Sequence, residues 1–172
     1  MRERSRLSVP LARADPDAPV RDAPEHQRVL VADDQALTRF ALRRALEDGG
    51  FLVCAEVRNA ADAVEAALRD LPDVCLLDLH MLGSIEAIET IASKLEETAV
   101  VVVTVARNDP DLFEAMCAGA VGYIPHDTDA ERIPLALEAV LQGDIALPRA
   151  VVKKLVEEFR ARRERRRLPM IE

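Results

Sequence analysis

The chain has no tryptophan, one tyrosine and four phenylalanines in 172 residues, so Ala, Val and Leu must fill whatever core it builds. Cysteine is nearly as scarce. Cys54, Cys75 and Cys117 are too few and too scattered for a disulfide framework or a cysteine zinc motif. Cys54 and Cys75 sit inside apolar runs, which makes them small buried hydrophobes. No apolar stretch approaches the ~20 residues of a membrane span. The arginines near the N-terminus have no apolar segment behind them, which excludes a secretory signal. A reducing, cytoplasmic setting without membrane attachment is the expectation. Basic residues are outnumbered 23 to 31 and the net charge is −8, which argues against the body of the chain binding nucleic acid. Residues 149–167 are the exception, being strongly basic.

Residues 1–27 carry Arg, Asp, Ala and four prolines without periodicity, and are expected to be a disordered leader. From residue 28 the chain alternates. Short apolar runs at 29–32, 51–57, 74–77, 99–105 and 121–124 read as strands. Helical patterns at 35–48, 60–71, 85–95, 109–118 and 129–142 follow them in turn. In the first helix Leu37, Phe40, Ala41, Leu42 and Leu46 are available for an inward stripe. Gly49-Gly50 stops that helix, and Asn59 is placed to cap the next. The run at 99–105 is almost unbroken Val, as in a strand covered on both faces. Five strand–helix repeats predict an α/β fold: a flavodoxin-like, doubly wound, five-stranded parallel sheet in order 2-1-3-4-5. A sixth helix over 149–167 falls outside the alternation. Its Val152, Leu155, Val156 and Phe159 form a stripe expected to dock on the domain or on a second copy. The domains expected are 1–27 leader, 28–147 globular domain and 148–172 basic linker helix and tail.

Acids stand at the ends of two of these strands. Asp33-Asp34 closes the first run and Asp78 closes the third. Parallel sheets bind ligands beyond the carboxyl ends of their strands, where strand order reverses. Three carboxylates gathered there repel one another when ionised, and a hard dication such as Mg2+ resolves the conflict. One aspartate is then placed to act as a nucleophile toward phosphate.

The alternation, the acid pair, Asp78, Thr104 and the segment AGAVGYI at 118–124 together resemble the receiver domain of bacterial two-component response regulators. The likeness is to the NarL/FixJ branch, with its LuxR-type helix-turn-helix output and a trailing G-x-x-x-L, here GDIAL at 143–147. The resemblance implies that Asp78 is the phosphoacceptor. It makes Asp33, Asp34, Asp78 and the backbone carbonyl of His80 the Mg2+ ligands. It gives Thr104 a hydrogen bond to the phosphoryl group, sets Tyr123 near the position of a switch aromatic, and puts His126 where the family has a lysine. It implies a sensor histidine kinase as partner, a homodimer, and DNA contact through an output domain, of which none follows before Glu172.

Two departures from the family pattern are plain in the sequence. His126 replaces the lysine with a shorter, switchable side chain, and the loop HMLGSIE at 80–86 is about one residue short, with Leu82 in place of a proline. They favour an alternative, a degenerate receiver serving as a phosphorylation-independent interaction module. A phosphatase with an aspartate nucleophile would need a second acid two positions on, where His80 stands, so an enzyme is not expected. His26 and His80 have no metal-ligand spacing, and the loop histidines, His126 included, read as solvated.

Overall fold

The structure is a computed structural model that describes residues 26–105, 110–144, 147 and 149–167. The expected leader falls almost wholly outside the described residues. So does residue 109, the expected start of the fourth helix.

Five strands, β1 (Arg28–Ala32), β2 (Leu52–Val57), β3 (Val74–Asp78), β4 (Ala99–Thr104) and β5 (Gly122–Pro125), pair in parallel in the order β2-β1-β3-β4-β5. Between and after them run α1 (Ala36–Asp48), α2 (Ala60–Asp70), α3 (Ser84–Lys94), α4 (Pro110–Ala118), α5 (Arg132–Leu141) and α6 (Arg149–Arg167). This is the expected flavodoxin-like fold with its additional C-terminal helix. Alternate residues of a strand face opposite sides of the sheet, and here both sides are covered. Val29, Val31, Leu76, Val101 and Val103 meet Leu42 and Leu46 of α1 and Ile133 and Leu137 of α5. Leu30, Cys75, Leu77, Val100 and Val102 meet the alanines of α2, Ile88 and Ile91 of α3, and Leu112 of α4. Burial on both faces explains why β3 and β4 are continuous apolar runs. It also pushes the Cys75 thiol pKa up to about 12, which leaves it a hydrophobe.

The first helix differs from expectation. Leu42 and Leu46 point inward, joined by Ala45, whereas Leu37 and Phe40 are 81% and 62% exposed. The chain leaves β1 at its carboxyl end, so the first turn of α1 stands at the rim of the sheet rather than over it. Smaller shifts are local. α5 begins at Arg132, because residues 129–131 form a turn closed by the Arg132 N–H to the Asp129 carbonyl. β5 is displaced one residue onward, and Val105 lies exposed beyond β4.

Asn59 caps α2 as expected. Its Oδ1 accepts the Asp62 N–H at 2.8 Å, and its amide donates to the Asp62 carboxylate at 2.7 Å. Asn59→Ala should cost ~1 kcal/mol and lower the urea midpoint without changing the slope. At the end of α4, Gly119 has φ +120°, and a Cβ there would stand 2.5 Å from the Ala92 Cβ. Glycine is what lets α3 and α4 close on each other.

α6 docks on α4. Val151 is buried, Leu155 packs against the same core, and the Lys154 ammonium lies 5.1 Å from the centre of the Phe113 ring. The docked side is Val151 and Leu155; Val152, Val156 and Phe159 of the expected stripe face outward. Ending the chain after Leu147 should lower stability by on the order of 1–2 kcal/mol, given the worth of burying a Val or Leu. A melting curve unchanged by the cut would show that the contact contributes nothing. Among the described residues no helix is long and apolar enough to cross a membrane.

Candidate functional site

Four strand ends converge on one buried polar cluster. Asp33 follows β1, Asp78 ends β3, Thr104 ends β4, and His126 follows β5. The strand order reverses between β1 and β3, so the cluster lies at the switch point of the sheet. Asp33, Asp78 and Thr104 are among the few buried polar residues, at 0%, 3% and 0% exposure.

Asp33 is held from one side only. Its Oδ1 accepts the Gln35 N–H at 2.8 Å, while Oδ2 is buried and has no hydrogen-bond partner. Burial raises the Asp33 pKa, and the charges of Asp78 and Asp34 raise it further; the Gln35 N–H and His126 pull the other way. Arg39 does not neutralise the carboxylate, since its guanidinium donates to the Asp33 backbone carbonyl at 2.7 Å. A buried, unpartnered carboxylate oxygen beside a second buried aspartate is a place for a cation.

Asp78 is oriented by its own loop. Its Oδ1 accepts the His80 N–H at 3.0 Å, and the Leu79 N–H donates to the Val103 carbonyl at 2.9 Å. The short loop closes because Gly83 adopts φ +81° and Ser84 Oγ donates to the Leu79 carbonyl at 2.6 Å. Ser84 thus begins α3 one residue earlier than the sequence predicts. Leu82, standing in place of proline, is 99% exposed.

His126 is held by its backbone N–H, which donates to the Thr104 carbonyl at 2.9 Å. Its Nε2 lies 4.0 Å from Asp78 Oδ1, and its side chain is 21% exposed. One ligand atom from each of Asp33, Asp78 and His126 falls within 4.8 Å of the others. The solvated reading of His126 thus gives way to a half-buried imidazole facing the acids. Asp78 and His126 are far apart in sequence, and only the β3-β4-β5 adjacency brings them together. Asp34 is exposed and outside that triad. His80 is exposed, with its backbone directed to Asp78. Tyr123 is half-buried and packs on the core beneath α2, α3 and α4.

The oxygen donors fit Mg2+: Asp33 and Asp78 face one another, Asp33 Oδ2 lacks a partner, and Asp34 is the next residue in the chain.

A family model described as the response regulator receiver domain matches residues 29–138. The transcriptional regulatory protein YxjL of Bacillus subtilis is 33% identical over 141 residues, covering 80% of this chain and 65% of that protein. The response regulator UvrY of Escherichia coli is 33% identical over 118 residues, covering 67% of this chain and 54% of its own length. The chain therefore spans between about half and two thirds of these curated relatives. Among solved structures, the signal receiver domain of NarL from Mycobacterium tuberculosis is 31% identical with TM-score 0.65, covering 70% of this chain and 99% of that one. A two-component response regulator of the LuxR family from Aurantimonas is 28% identical with TM-score 0.67, covering 77% of this chain and 97% of that one.

Proposed function

Because the chain belongs to the response regulator receiver family, we propose that it accepts a phosphoryl group on Asp78, with Mg2+ held by Asp33, Asp34, Asp78 and the His80 carbonyl. A carboxylate oxygen of Asp78 attacks phosphorus, an acyl phosphate forms, and the donor's leaving group departs with the bonding electrons. Mg2+, when bound, neutralises charge between the acids and the phosphoryl oxygens. The residues of the chain do the rest. The His80 N–H fixes the rotation of Asp78, and Thr104 supplies a hydroxyl at the next strand end. His126 offers a cation only when protonated. The donor is a sensor histidine kinase, and Tyr123 and α4 carry the change of state toward a transcriptional output, in a homodimer that contacts DNA. The observation that carries this reading is the buried Asp33–Asp78 pair with its unpartnered oxygen.

Incubating the full chain with Mg2+ and acetyl phosphate and then weighing it intact tests the proposal. One phosphoryl addition supports it. No addition from any donor favours the second reading, a receiver that binds partners without phosphorylation, to which the replacement of the family lysine by His126 already points.

A further inference from the structure

The imidazole changes what the acid pocket can hold. Mg2+ is a hard cation that takes oxygen ligands, whereas imidazole nitrogen suits Zn2+, Co2+ and their neighbours. We propose that Asp33, Asp78 and His126 form a three-ligand site for a borderline transition-metal dication, with Zn2+ as the type case. The proposal rests on the reading of Asp33 and Asp78 as metal-holding residues and adds a nitrogen donor from this chain's own departure.

Three observations carry it. The three ligand atoms are already within 4.8 Å of one another. Asp33 Oδ2 is fully buried and unpartnered. His126 Nε2, rather than a fixed cation, faces Asp78 Oδ1 at 4.0 Å. Ligands around a tetrahedral Zn2+ with bonds of ~2.0–2.1 Å stand ~3.3 Å apart, so side-chain rotations that bring these atoms, now up to 4.8 Å apart, closer by up to about 1.5 Å close the triad. A lysine at this position would repel the ion. Two carboxylate oxygens and one imidazole nitrogen leave a fourth position for water, the arrangement of open zinc sites. The partial exposure of the His126 side chain gives the ion a route in. Since the site shares Asp33 and Asp78 with the proposed Mg2+ site, the two ions exclude each other, and a bound transition metal takes the pocket out of phosphoryl transfer.

The test titrates the full-length chain with Zn2+ and with Mg2+ by calorimetry, and with Co2+ by its visible absorption. His126→Ala should weaken Zn2+ about tenfold or more while changing Mg2+ affinity less than about threefold. His126→Lys should lose the strong Co2+ band of a low-coordinate site and still melt cooperatively. Equal losses of Zn2+ and Mg2+ in His126→Ala, no loss of Zn2+, or a Co2+ spectrum as weak as that of the hydrated ion, would each overturn the nitrogen ligand. If instead Asp33→Asn leaves Mg2+ binding intact, the underlying reading of the acids fails, whatever His126 does.

Discussion

Asp78→Asn should take no phosphoryl group from acetyl phosphate under conditions where the wild-type chain takes one. The amide keeps the shape of the carboxylate, and its oxygen can still accept the His80 N–H that holds Asp78 at 3.0 Å, so the loop should keep its fold. What disappears is the anionic oxygen. A neutral amide is a far poorer nucleophile toward phosphorus, and nucleophile plus position is nearly all that this transfer needs from the protein. Intact-mass measurement reads the result directly, with melting curves confirming that the variant is folded. A phosphoryl addition persisting in Asp78→Asn would move the chemistry to another residue.

The second large effect is a gain in stability without divalent ions and a lost response to Mg2+. Asp33 is buried with one unpartnered oxygen, and burial, with repulsion from Asp78 and Asp34, raises its pKa in the folded chain. A carboxyl whose folded pKa exceeds its unfolded value favours folding fully only below the unfolded pKa, and loses that contribution as pH rises through the folded pKa. At neutral pH, well above the unfolded value, Asp33 therefore costs stability. Asp33→Asn should melt higher than wild type at pH 7 without divalent ions. A change of ~1 kcal/mol corresponds to roughly 2–4 °C for a chain of this size. The advantage should shrink as pH falls toward the unfolded carboxyl value of 3.8. Mg2+ should then raise the melting temperature of wild type and leave the variant unmoved. An Asp33→Asn protein that melts lower at pH 7, or that gains as much from Mg2+ as wild type does, would show that Asp33 is neither strained nor a ligand.

Both effects depend on strand ends, and strand ends are where the sequence was most legible. The apolar runs of β1, β3 and β4 could be read directly because burial on both faces demands continuous Val and Leu. The sheet order followed from the alternation, and Asp33 and Asp78 were visible as acids closing such runs, whereas Thr104 lay inside the run read at 99–105 and was singled out by the family resemblance. Amphipathic helices were harder. Leu37 and Phe40 occupy helical spacing that fits an inward face, yet α1 starts at the rim of the sheet, where its first turn has nothing to cover. The pattern gives a face, not the height of a helix along the sheet. In α6 the same ambiguity chose Val152, Leu155, Val156 and Phe159, while the side that docks is Val151 and Leu155. The resemblance put His126 at the family's lysine position, but its distance from the acids was not legible. Its closeness to Asp78 depends on two intervening strand pairings, and no local spacing encodes it.

The shortage of aromatic residues turns the same strand end into an optical window. With no tryptophan and a single tyrosine, near-ultraviolet emission comes almost entirely from Tyr123. That ring is half-buried in β5, paired in register with Val102 and three residues before His126. Most proteins average their fluorescence over many rings and need an engineered label to report from one place. This chain carries its reporter at one position in β5, three residues before His126, so quenching, anisotropy or a shift in tyrosine absorbance during an ion titration can be assigned to one strand without labelling.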